Sequence, residues 1–181
     1  VFLVPSRALQ KNSSPAIVIL DIETSGLDPN TDSISLVGIA DEQGIHQYRT
    51  AVEAALYLRA LSQDSILLTY NGLAFDYSFL DKNMPPNQPF PRFQKHIDLL
   101  PIAETHFKHR VSKDAACHNL GIWLPADPAS GADCASFAKQ AFRPLMSFEK
   151  VCLHNAQDLY ATRALYEKFK ALGVIKNESP T

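Results

Sequence analysis

Apolar residues come in short blocks along the first half of the chain and at helical spacing along the second. Ile17, Val18, Ile19 and Leu20 form a continuous run that predicts a buried strand over Ile17–Asp21. Two further strand-like runs, Ser33–Asp41 and Ile45–Thr50, are separated by Glu42-Gln43-Gly44, which joins them as antiparallel neighbours. Helical spacing follows over Ala51–Leu61, then a fourth strand, Ser65–Tyr70, ended by the Asn71-Gly72 turn. A strand reached through a helix returns parallel to a neighbour, so the βββαβα order predicts an α/β fold with a mixed central sheet flanked by helices. Beyond the proline-rich loop Met84–Pro91 comes the short run His96–Leu100, then mostly helix, with Trp123 packing a loop and a last helix over Ser147–Leu172. Residues 1–15 read as an extension or linker, 16–173 as one domain and 174–181 as a frayed tail.

Four acids break this pattern. Asp21 and Glu23 share the strand face of Ile17 and Ile19, where core is expected. Two like charges at ~4 Å and an effective dielectric near 20 repel by roughly 4 kcal/mol, a cost that a divalent cation removes. Asp76 stands just past the fourth strand; taken alone, it reads equally as a helix-start acid favoured by the dipole. In the last helix Val151, His154, Asp158, Leu165, Phe169 and Leu172 fall close to one stripe, which His154 and Asp158 interrupt. Spaced i and i+4, those two lie one turn apart on one face, as a hydrogen-bonded pair or as a site. Brought together at one sheet edge, the four carboxylates would hold two Mg²⁺ or Mn²⁺ ions, since oxygen-only ligation suits hard cations.

Composition narrows the class without choosing the partner. A hydrophobic content of 46% with 20% charged residues fits a single globular domain, and a net charge of -2 rules out a global basic field. Three cysteines without CxxC spacing argue against zinc ribbons and disulfide scaffolds and predict a reducing, cytoplasmic setting. No apolar run reaches membrane-spanning length, so no membrane is expected. A first residue of Val1 rather than Met leads us to expect a part of a larger multidomain protein.

The segments Leu20–Pro29 (LDIETSGLDP), Tyr70–Asp76 (YNGLAFD) and His154–Asp158 (HNAQD) resemble, in order, the three motifs of the DEDD group of ribonuclease H-like 3'-5' exonucleases. The likeness is strongest to the YprB-like predicted exonucleases, where runs like TYNGLAFD, HIDLL and NLGI recur. It implies a ribonuclease H-like fold and 3'-5' exonuclease activity on DNA or RNA, at a single-stranded 3' end. It further implies that Asp21, Glu23, Asp76 and Asp158 ligate two metals, with Asp21 bridging them. One branch of the group carries Tyr four residues before the last Asp; His154 holds that spacing here and stands as general base or as a residue orienting water. Thr24 and Leu27 would lie beneath the terminal nucleotide, or be turn and core; Asn71 and Phe75 would border the same cleft. Among the basic residues of His106–Lys113, Lys108, Arg110 and Lys113 are candidates for phosphate contact, against the alternative of a solvated face.

Two other readings compete. The Asp-Ile-Glu-Thr run superficially resembles the D-x-D-x-T of haloacid-dehalogenase-like phosphatases, but Glu23 stands where that motif needs Asp, and Asp76 and Asp158 go unexplained. A non-catalytic nucleic-acid-binding or docking module of the same fold would not need four intact acids.

Overall fold

A computed structural model describes residues 15–62, 64–127, 129–139 and 145–176; most of the expected N-terminal linker and the end of the tail lie outside the described residues. Strands β1 (Ile17–Thr24), β2 (Ile34–Asp41) and β3 (Gly44–Tyr48) are followed by α1 (Ala51–Ala60), β4 (Ile66–Thr69), α2 (Asp76–Lys82) and β5 (Lys95–Asp98). The second half contains α3 (Leu99–Phe107), α4 (Lys113–Asn119), α5 (Gly131–Lys139) and α6 (Leu145–Ala171). One sheet has the order β3-β2-β1-β4-β5. β1 to β3 pair antiparallel, while β4 lies parallel to β1 and β5 parallel to β4, giving the expected mixed sheet.

Both faces of β1 are covered, which is why its apolar run is continuous rather than alternating. Val18, Leu20 and Ile22 pack with Ala54 and Leu58 of α1 and Phe79 and Leu80 of α2. On the opposite face Ile19 packs with Leu68, Leu99, and Leu159, Leu165 and Phe169 of α6. The fully buried Phe169 locks α6 to the sheet, and truncating such a residue to Ala costs about 3–5 kcal/mol.

Element ends depart from the expected ones for local reasons. β1 runs on through Thr24, because Glu23 still pairs with Leu36 of β2 before the register shifts. β3 stops at Tyr48 because Thr50 caps α1, its hydroxyl accepting from the Glu53 amide and donating to the Glu53 carboxylate. His96–Leu100 divides between β5 and α3, with Asp98 capping α3 by accepting from the Leu100 amide. Leu172 lies past the end of α6 at 49% exposure and does not extend the buried stripe, and Trp123 is 77% exposed rather than packed.

Candidate metal centre and active site

Alternation along β1 puts Asp21 and Glu23 on the Ile19 face, where α6 crosses and delivers Asp158. One carboxylate oxygen from each of Asp21, Glu23 and Asp158 lies within 4.8 Å of the others. Lys113, at the first position of α4, inserts its ammonium into this group, 2.8 Å from Asp21 Oδ1 and 2.7 Å from Asp158 Oδ2. The Asp21 and Asp158 side chains keep 13% and 19% of their exposure, so an ion from solvent can reach them.

One ammonium among these carboxylates leaves negative charge uncompensated. Burial, then the neighbouring Asp21 and Asp158, pushes the Glu23 carboxyl up to about 9. Asp21 is also raised, by burial and by Asp158, although Lys113 opposes the shift. For Lys113, burial alone would lower the pKa, but Asp21 and Asp158 together outweigh it and hold the ammonium charged.

Asn155, completely buried on α6, donates from Nδ2 to Asp21 Oδ2 at 3.1 Å. Its Oδ1 accepts from Gln47 Nε2 of β3 at 3.1 Å, and Gln47 also donates to the Cys152 carbonyl at 2.7 Å. This bridge needs Gly38, which stands opposite Asp21 on β2: a Cβ there would overlap the Asn155 amide.

Asp76 is the first residue of α2 and is 4% exposed. It is not part of the compact three-carboxylate set, but it feels it: burial first, then Asp21, raises its pKa well above the ordinary carboxylate range. The turn before it is set by Asp98, which accepts from the Asn71 amide at 2.7 Å and the Leu73 amide at 3.0 Å. That bracing holds Asn71 at φ 68°, in the left-handed region. Phe75 is partly buried, with its ring 5.0 Å from that of Phe79, so it belongs in part to the core.

His154 is 8% exposed and pairs with the loop before α5, where its Nδ1 lies 2.6 Å from Asp127 Oδ2. One imidazole nitrogen also lies within 4.8 Å of a Glu23 oxygen and of the Cys134 sulfur. Cys134 is fully buried on α5. A cleft of about 410 Å³, bordered by Asp114, Asp127, Ser130 and Asp133, reaches His154.

The remaining candidates scatter. Thr24 is buried, its hydroxyl donating to the Gly26 carbonyl at 2.6 Å, and Leu27 projects from the same turn at 83% exposure. Lys108 caps α3 in the left-handed conformation and is exposed, and Arg110 pairs on the surface with Glu104 at 3.4 Å. Of the basic run, only Lys113 enters the acidic centre. Sequence reasoning offered Lys113 for phosphate contact but not this place among the carboxylates, and it missed Gln47, Asp127 and Cys134, because each contributes through a contact with a distant segment.

A family model for the RNase H superfamily matches residues 18–170. The chain belongs to the RNase H superfamily. This superfamily member is 26% identical over 178 residues to an uncharacterized protein of Methanocaldococcus jannaschii, MJ0365, covering 89% of this chain and 99% of that one. Its fold is similar to the family B DNA polymerase of the archaeon Pyrobaculum calidifontis, with TM-score 0.69 and 13% identity over 90% of this chain. It spans only 25% of that polymerase. Brucella melitensis NrnC with bound Mg²⁺ is similar at TM-score 0.55 and 17% identity, over 92% of this chain and 79% of NrnC. NrnC bound to pGG is similar at TM-score 0.53 and 16% identity, over 91% and 78%. Among the described residues, no helix is long and apolar enough to cross a membrane.

Proposed function

We propose that this RNase H superfamily chain is a two-metal-dependent nuclease that hydrolyses phosphodiester bonds, removing nucleotides from the 3' end of DNA or RNA. The observation that carries the reading is the convergence of Asp21, Glu23 and Asp158 on one point, with ligand oxygens within 4.8 Å of each other. The donor set fits hard cations: it is all oxygen, it carries more negative charge than Lys113 neutralises, and two of its members stay solvent-accessible. Asp21, Glu23, Asp158 and, at longer range, Asp76 would hold Mg²⁺ or Mn²⁺. Bound there, the cations would supply Lewis acidity to the attacking water and the leaving oxygen. The Mg²⁺ complex of NrnC and its pGG complex support the same direction.

The chain's own groups position the rest. Asn155 fixes the Asp21 carboxylate from one side and Lys113 from the other, so its oxygens cannot rotate freely. His154, oriented by Asp127, stands beside Glu23 and takes the water's proton or orients the water. Thr24 and the exposed Leu27 receive the terminal nucleotide, Leu27 as an apolar wedge, and Asn71 and Phe75 flank it. Lys108 and Arg110 meet phosphates further along the strand.

Incubation with 5'-labelled DNA and RNA oligonucleotides, carrying free or blocked 3' ends, tests this function. A ladder shortening from the free 3' end alone agrees with it, whereas internal cuts on blocked oligonucleotides contradict the exonuclease reading.

A further inference from the structure

Glu23 belongs to two clusters. Besides the carboxylate set, it forms a group with Cys134 and His154 in which one ligand atom from each lies within 4.8 Å of the others, and all three residues are buried. The chemistry of this second group differs: one sulfur, one imidazole nitrogen and one carboxylate oxygen suit a borderline-soft cation far better than Mg²⁺. We propose that Glu23, Cys134 and His154 form a Zn²⁺ site that competes with the hard cations for Glu23 and switches the enzyme off. The switching rests on the nuclease reading above; the cation site itself does not.

Three further observations support the site. His154 Nδ1 is engaged by Asp127 Oδ2 at 2.6 Å, which leaves Nε2 for a cation and reproduces the carboxylate–histidine pairing that orients zinc-binding imidazoles. Nε2 faces the start of α5, where a Cβ added at Gly131 would lie 3.9 Å from it, and Cys134 comes one helical turn later. The cleft that reaches His154 is bordered by Asp114, Asp127 and Asp133, giving a cation an acidic approach to the imidazole. Three protein ligands leave a fourth tetrahedral position for water. Occupation of this site draws the Glu23 carboxylate toward the sulfur and nitrogen donors, away from Asp21 and Asp158.

The test uses Co²⁺ as a spectroscopic probe and Zn²⁺ as inhibitor, on the full chain, with Cys134→Ser and Cys134→Ala as paired variants. Wild type is expected to show a thiolate-to-Co²⁺ charge-transfer band that both variants lack. At fixed saturating Mg²⁺, each variant's own Zn²⁺-free cleavage rate serves as its reference and an unchanged circular-dichroism spectrum shows that it folds; relative to that rate, both variants should need at least about tenfold more Zn²⁺ for half-inhibition. Asp127→Asn should weaken Co²⁺ binding by about 10- to 100-fold. Absence of the band, its persistence in both variants, or equal Zn²⁺ sensitivity overturns the site. A Cys134-dependent band in a protein with no Mg²⁺-dependent cleavage overturns the nuclease reading and the switch, and leaves the cation site standing.

Discussion

Lys113 Nζ stands 2.8 Å from Asp21 Oδ1, a contact between residues 92 positions apart. The same ammonium is 2.7 Å from Asp158, so it ties α4 to both β1 and α6 and lets two carboxylates approach before any metal arrives. Removing one partner of a buried ion pair costs about 3–5 kcal/mol, so Lys113→Met should melt markedly lower in EDTA. Mg²⁺ should recover more of the melting temperature in this variant than in wild type. An unchanged melt in EDTA would mean that the ammonium does not hold the acids together.

Neutralising different acids should have opposite effects on the metal-free fold. Asp21→Asn relieves repulsion but also loses the Lys113 pair, so little net change or a loss is expected. Glu23 makes no ion pair with Lys113 at contact distance, and burial, Asp21 and Asp158 all oppose its charge. Glu23→Gln should therefore raise the melting temperature in EDTA while weakening Mn²⁺ binding in calorimetry. A lowered melt in EDTA would contradict the assignment of repulsion to Glu23.

The same residue sets a pH dependence. Glu23 is pushed from 4.5 to about 9, so between those values the folded protein binds more protons than the unfolded chain, and stability falls as pH rises. The stability contributed by its protonated form is fully present below the unfolded value and lost by about pH 9. Urea midpoints in EDTA should decline across this window, and the decline should be shallower in Glu23→Gln. Parallel profiles for the two proteins would assign the dependence elsewhere.

Much of the fold was legible because it rests on local pattern. The apolar run at Ile17–Leu20, the Gly44 turn and the i, i+4 pair His154 and Asp158 are properties of short segments, and the βββαβα order follows from them. Asp21 and Glu23 stood out because strand alternation alone assigns them a face. Lys113 was visible only as one cation in a basic run, since periodicity says nothing about which distant strand a lysine meets. Asp127 and Cys134 belong to a loop and helix whose own spacing carries no signal; only the crossing of α6 brings them to His154. The need for Gly38 likewise exists only because Asn155 lies over it.

The Asp127–His154 pair separates chemistry from packing. His154→Ala should lower turnover by roughly 10²- to 10⁴-fold, as loss of a general base does. Asp127→Asn keeps the imidazole but loosens its orientation, so a smaller loss is expected. His154→Tyr should retain partial activity, because the resembled branch carries tyrosine at this spacing. Single-turnover rates compare the three, and full activity in His154→Ala would make the histidine structural.

The acidic cluster as a metal-dependent hydrolytic centre is tested most directly by the rate of oligonucleotide cleavage as Mn²⁺ is titrated into wild type and Asp158→Asn. Wild type should be inactive in EDTA and rise to a plateau with Mn²⁺. Asp158→Asn should plateau at least about 10²-fold lower, because metal stabilisation of the transition state is worth several kcal/mol. Equal plateaus in the two proteins, or cleavage by wild type that persists in EDTA, would contradict the account.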